Sequence, residues 1–292
     1  MLTADKISQL RPTVLVLDGN YTQAGEMVEK ILETFPLPWK GKRVVIKPNI
    51  LGPYAPEKGV TTHPSLMRSL VRSLKKREAI CQVGDNPGYP AHERCARISG
   101  ILEAADGCYV NFAKEVVEVP LKSRFIEKVV ISRAILDADL IINVPKFKTH
   151  LQTRITGAVK NMFGILVGAE KARVHLSVPR PRNFSEVLVD IYQIRIPDLT
   201  IMDAVVGMEG NGPSGKDLRT IGKILASKNG VSLDGLMAAM MGLPPKRVDY
   251  LDIASQRGLG EIDPGEMEIQ GHWSPLKKYK TPLTFVSRGL LG

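Results

Sequence analysis

Residues 139–144 read Asp-Leu-Ile-Ile-Asn-Val, the strongest strand signal in the chain. A run this short and this apolar fits a strand covered on both faces, as in a parallel sheet with helices above and below. Residues 13–17, 43–46, 79–83, 108–112, 126–131, 199–206 and 223–227 read as further strands, most of them closed by turn residues. Between them, residues 22–35 place Ala24, Met27, Val28, Ile31 and Leu32 on one helical face. Leu66, Leu70, Val71 and Leu74 do the same in a helix that opens near Thr62, His63 and Pro64. Residues 184–194, 232–241 and 247–256 also read as helices. The alternation predicts an α/β fold with a mostly parallel or mixed sheet flanked by helices. At 292 residues we expect one α/β unit over 1–292, with 145–183 as a basic active-site insertion.

Directly after the apolar strand the charge changes. Residues 143–182 carry Lys146, Lys148, Arg154, Lys160, Lys171, Arg173, Arg180 and Arg182 against one acid, Glu170. This stretch holds seven of the chain's formal excess of ten positive charges. Charge packed this densely beside glycines and a strand end predicts an anion site rather than an evenly solvated surface. Lys146, Lys148 and His150 alternate, so in extended geometry they share one side. A second strand runs into Lys47-Pro48-Asn49 and a third into Gly84-Asp85-Asn86-Pro87. In open α/β sheets such carboxyl ends are where ligands bind. Asp203 lies inside an apolar strand, where a buried carboxylate needs a partner, and a lysine of the basic stretch suits it.

Residues 156–166 read as a helix whose apolar stripe is Ile155, Val159, Met162, Phe163 and Leu166. Gly157, Lys160, Asn161, Gly164 and Gly168 then fall on another face at three- and four-residue steps. Glycines there let a ligand or another backbone come close, and the helix start offers free N–H groups to an anion. The competing explanation is close helix packing with a solvated Lys160. His63, His150 and His175 are candidate acid–base groups, although a lone histidine is more often structural. Asp234 reads as a cap at the start of its own helix.

Several function classes lack support. The G-x-x-x-x-G-K-[ST] phosphate loop and the G-x-G-x-x-G dinucleotide fingerprint are absent. An aromatic content of 5% is too low for a platform of stacked bases, so nucleic-acid binding rests on charge alone and is set aside. Cys81, Cys95 and Cys108 show no C-x-x-C spacing, which predicts thiols in a reducing compartment and assigns no residue to a metal. The N-terminus lacks the apolar core of a signal peptide, and no apolar run approaches the ~20 residues of a membrane span. The expectation is a cytoplasmic, soluble protein.

One set of motifs is specific. It comprises Val45-Ile46-Lys47-Pro48-Asn49, Thr62-His63-Pro64, Gly84-Asp85-Asn86-Pro87, Asn143-Val144-Pro145-Lys146 and Lys148-Thr149-His150. It continues with Thr156-Gly157-Ala158-Val159-Lys160-Asn161-Met162-Phe163-Gly164, His175, Asp203-Ala204-Val205, Gly210-Asn211-Gly212-Pro213 and Gly258-Leu259-Gly260. Together, over about residues 43–260, these resemble the family called domain of unknown function 362 (DUF362). The resemblance implies a redox setting, because many relatives carry two four-iron–four-sulfur ferredoxin motifs after this domain. No such cysteine motif occurs through Gly292, and residues 285–292 do not read as a finished domain, so the ferredoxin module is absent here or lies beyond this chain.

Two readings follow. The first is an enzyme, an oxidoreductase, whose anionic cofactor or substrate is held by Lys47, Asn49, Lys146, Lys148, Gly157, Lys160, Asn161, Gly164 and Arg173. In that reading His63, His150 or His175 move protons, oriented by Asp85 or Asp203. The cofactor itself is not specified by any motif. The second is a non-catalytic accessory or electron-transfer protein whose basic cleft docks an acidic partner such as a ferredoxin.

Overall fold

The structure is a computed structural model, and it describes residues 11–283. Residues 1–10, on which the signal-peptide reading falls, and the ending at 285–292 lie outside the described residues. The strands in chain order are β1 (Thr13–Asp18), β2 (Arg43–Pro48), β3 (Ile80–Val83), β4 (Val116–Pro120), β5 (Lys128–Ser132) and β6 (Leu140–Val144). They continue with β7 (Lys146–His150), β8 (Arg154–Thr156), β9 (Leu199–Met208), β10 (Leu218–Ser227) and β11 (Glu268–Gln270).

Nine of these form one sheet in the order β11-β1-β10-β9-β6-β2-β3, with β7 paired to β9 and β8. The block β9-β6-β2-β3 is parallel, as are β1–β11 and β7–β9. The pairs β1–β10, β10–β9 and β7–β8 are antiparallel. The sheet is therefore mixed and mostly parallel, flanked by helices. All five residues of β6 are buried, as its apolar run requires.

Alternation along the strands builds two cores. Val45, Ile141 and Met202 face one side, packed with the helices Pro181–Tyr192, Gly230–Met240 and Asp249–Gln256. Val44, Ile46, Ile142 and Ile201 face the other, packed with the helices Ala24–Thr34 and Pro64–Lys76. The five apolar residues that define the face of residues 22–35 are the five buried residues of Ala24–Thr34.

The local departures from the sequence pattern lie near the site. Residues 108–112 form no strand; only Tyr109 bridges, to Val83. The strand expected at 126–131 is β5, and it pairs with β4 in a separate two-stranded sheet. Residues 156–166 are not one helix: Arg154–Thr156 is a strand, Ala158–Asn161 a single helical turn and Met162–Ile165 a 3₁₀ turn. The 145–183 stretch adds β7 and β8 to the main sheet.

Pro145 marks the point that opens the site. β2 runs beside β6 as far as the pair Pro48↔Val144. Beyond it the chain continues alongside β9, where Lys146 pairs with Asp203 and Lys148 with Met208. β2 ends while β7 goes on, and a cleft lies between them at the carboxyl ends of the parallel strands.

A distant carboxylate fixes the turn over this cleft. Asp234 accepts from the Ala158 N–H at 2.6 Å, the Val159 N–H at 3.0 Å and the Tyr250 hydroxyl at 3.1 Å. It caps this turn and not its own helix, whose cap is Asn229. The first N–H groups of the turn are thus occupied and are not offered to an anion. Gly157 is required because a Cβ there would overlap the Asp234 carboxylate. Gly157→Ala is expected to cost about 1–3 kcal/mol, read as a lower urea midpoint at unchanged slope.

Candidate functional site

Two buried ion pairs frame the cleft. The Lys47 Nζ lies 2.7 Å from the Asp85 Oδ1, with side chains 0% and 3% exposed. Asp85 also accepts from the Ile50 N–H at 2.7 Å and the Asn86 N–H at 2.9 Å, so one carboxylate joins the ends of β2 and β3. Burial pushes Lys47 below its ordinary value, and Asp85 opposes the shift. Gly164 passes directly over the pair: a Cβ there would overlap Asp85 and stand 2.6 Å from the Lys47 Nζ.

The second pair is Lys146 with Asp203, at 2.8 Å and equally buried. Asp203 also accepts from the Tyr21 hydroxyl at 2.9 Å and the His63 N–H at 2.8 Å. The His63 ring stacks on Tyr21 at 3.6 Å, and its Nδ1 accepts from the Ser65 N–H. Lys146 is therefore the partner that the buried Asp203 needs. This cluster holds β7 and β9 to the start of the helix Pro64–Lys76 and does not line the cleft.

The cleft has a volume of about 340 Å³. Its walls come from the ends of β2 (Asn49, Ile50) and β3 (Asp85, Asn86), from β7 (Lys148, His150), from the capped turn (Lys160, Asn161, Phe163, Gly164) and from the helix Glu170–Ser177 (Lys171, His175). Three lysines line it, and none is in an ion pair among the described residues. Lys148 donates to the Asn49 Oδ1 at 2.7 Å and the Val60 carbonyl at 2.8 Å. Lys171 donates to the Asn86 carbonyl. Lys160 stands 5.3 Å from the Phe163 ring centre and 5.5 Å from that of Phe184. Burial, then Lys146 and Lys160, push Lys148 down to about 7. Burial, then Lys171, push Lys160 down to about 7, and burial is the main cause that takes Lys171 down to about 8.

Burial holds both histidines of the cleft in the neutral form. The His150 Nδ1 accepts from the Gln152 N–H at 3.1 Å and the Thr153 N–H at 3.3 Å, which leaves the proton on Nε2. Burial and the neighbouring lysines hold His150 well below its ordinary value. His175 stacks on Phe184 at 4.4 Å, and burial with Lys160 and Lys171 takes it down to about 4.

The structure thus brings together Asn49, Asp85, Lys148, His150, Lys160, Asn161, Gly164 and His175, with Lys47 beneath the floor. It does not bring in His63, Lys146 or Asp203, which form the second cluster, nor Gly157, which sits under Asp234. Arg173 faces outward, paired with Glu170 at 2.7 Å and bonded to the Lys128 carbonyl. In its place stands Lys171, which the sequence reading did not single out. Helical spacing held the clue, since Lys171 and His175 are four residues apart on one face and Arg173 lies between them. Asn86 and Phe163 also line the cleft unforeseen. Among the described residues no three His, Cys, Asp or Glu side chains gather as metal ligands. An iron–sulfur cluster takes about four thiolates, and Cys81, Cys95 and Cys108 do not fit one.

Two outcomes test these interactions. Asp203→Ala leaves Lys146 buried without its partner and is expected to cost about 3–5 kcal/mol, read by denaturant unfolding. Lys146→Met combined with Asp203→Leu is expected to cost less than the single change. Lys148, Lys160 and Lys171 all lie below the ordinary 10.5 in the folded protein. As pH falls from that value the unfolded chain protonates first, so their contribution to stability is present at high pH and is lost towards about 7. The ligand-free protein is therefore expected to unfold at a lower temperature at pH about 7 than at about 9, and Lys160→Met to flatten that slope.

Comparison with known proteins agrees on a family. The description "Domain of unknown function (DUF362)" matches residues 44–239. A thylakoid-associated protein of Synechocystis sp. is 31% identical over 233 residues, covering 78% of this chain and 71% of that one. Among solved structures, the lactate racemase apoprotein from Thermoanaerobacterium thermosaccharolyticum is similar with a TM-score of 0.49 at 12% identity, over 80% of this chain and 58% of that one. A structural-genomics protein from Thermotoga maritima is similar with a TM-score of 0.46 at 14% identity, over 82% of this chain and 60% of that one. This chain thus spans under two thirds of either solved chain. No helix among the described residues is long and apolar enough to cross a membrane. With two thirds of its length matched and its Lys-Thr-His and Thr-Gly-x-x-Lys-Asn-x-Phe-Gly segments lining one cleft, the chain belongs to the DUF362 family.

Proposed function

We propose that this protein is an enzyme that binds a small phosphate- or carboxylate-bearing molecule in the cleft and acts on it in redox-linked chemistry. The observation that carries the binding half is the set of three lysines, Lys148, Lys160 and Lys171, that line the cleft without an ion-pair partner among the described residues. Buried cations without counter-charge are costly. An anion supplies that charge and raises the proton affinity of the lysines that hold it. The His150 Nε2–H adds a neutral donor, and apolar Ile50, Phe163 and Pro213 line the same space. The redox half rests on the resemblance to cluster-carrying relatives. The thylakoid association in the name of the Synechocystis relative makes a membrane surface the alternative to a cytoplasmic location.

The docking of an acidic protein such as a ferredoxin has less support. Docking needs charge presented outward. Here the unpaired lysines turn inward, and the outward Arg173 is already paired with Glu170.

Titration with inorganic phosphate and with succinate tests the binding half. At least one is expected to bind with 1:1 stoichiometry, and Lys148→Met and Lys160→Met each to weaken it about tenfold or more. Binding that survives both changes in folded protein contradicts the proposal.

A further inference from the structure

The Tyr21–His63–Lys146–Asp203 cluster has its charged groups paired and does not line the cleft. The hollow near Arg43, Asn111 and Asp137 carries mixed charge with no unpartnered buried group. The Nζ of Lys148, in contrast, has a geometry that its surroundings leave incomplete.

An amine nitrogen has four tetrahedral positions. On Lys148 one is the bond to the side chain, and two point at neutral acceptors, the Asn49 Oδ1 and the Val60 carbonyl. No carboxylate touches it. The fourth position has no hydrogen-bond partner among the described residues, and Lys148 lines the cleft. In the neutral amine both hydrogens are taken by these two acceptors, so the fourth position holds the lone pair. The two acceptors thus leave the lone pair free on a lysine that lines the cleft.

We propose that Lys148 is an amine nucleophile that forms an imine with the carbonyl group of an anionic aldehyde or 2-oxo acid held in the cleft. This rests on the anion-binding reading above and names its substrate class. Lys160 and Lys171 hold the carboxylate or phosphate. The Lys148 lone pair attacks the carbonyl carbon. The two amine hydrogens and the carbonyl oxygen leave as water, and a C=N bond replaces C=O. No oxidant or reductant is needed. The His150 Nε2–H, on a residue that lines the same cleft, would donate to the carbonyl oxygen.

The other two lysines are poorer candidates. The π faces of Phe163 and Phe184 favour the charged form of Lys160. Lys171 donates to a backbone carbonyl from a part-exposed helix. Burial takes Lys148 and Lys160 alike down to about 7, so what separates Lys148 is its pair of neutral acceptors against the aromatic faces of Lys160.

The test uses the whole chain. Glyoxylate, a small anionic aldehyde, is added with cyanoborohydride near neutral pH, and the carboxymethyl adduct is mapped by peptide mass spectrometry. Lys148 is expected to be modified about 100-fold faster than exposed lysines, with protection by inorganic phosphate. Phosphate binding is measured in parallel by calorimetry. If phosphate binds and the adduct forms on Lys160, on Lys171 or evenly over the surface, the imine proposal is overturned while the anion site stands. If phosphate and glyoxylate neither bind nor react at Lys148, both fall. Lys148→Met is expected to remove the fast adduct and leave the slow surface reaction unchanged.

Discussion

The buried pair of Lys47 with Asp85 is the contact on which the rest of the site depends. It joins the carboxyl ends of two adjacent parallel strands, and its carboxylate also holds the Ile50 and Asn86 N–H groups. Removing one member of such a pair strands a charge in the interior. The demand passes outward: Gly164 must cross above it without a side chain, and Asn161 ties the same layer to the Lys47 and Pro48 carbonyls and to Asn143. The floor of the cleft is therefore fixed before any ligand arrives, which is the condition for a preorganised site.

Above that floor the charge is left unbalanced. Lys47 and Lys146 have carboxylates, whereas Lys148, Lys160 and Lys171 have amide oxygens, aromatic faces or a backbone carbonyl. A fold selected only for stability would pair or expose them. Perturbed lysines gathered round one cavity are what a site for anionic ligands requires. Depressed lysines also bring amine chemistry nearer to neutral pH, so the proposed binding and the proposed reactivity would arise from one electrostatic arrangement.

Much of the fold was legible in the sequence because it rests on local periodicity. The five buried residues of Ala24–Thr34 and the wholly buried β6 follow from period and run length alone. The site was legible in composition but not in geometry. Residues 156–166 carry a helical pattern, yet a carboxylate at Asp234 ends the strand-like entry at Gly157 and starts a single turn, and no local signal announces a contact across 76 residues. Lys146 and Lys148 alternate as strand neighbours on one side, but the β7–β9 register shifts between them and they reach different partners. Arg173 looked equal to its neighbours, and Glu170 on the same helix claims it.

The central claim is that an anion completes the charge of this cleft, and linked proton uptake tests it most directly. Phosphate binding is measured calorimetrically at pH about 8 in two buffers of different ionisation enthalpy. If the anion restores the charge on depressed lysines, its binding draws about one proton or more from the buffer, and the observed heat changes with the buffer accordingly. Binding heats that are equal in the two buffers, or proton release, would contradict the account.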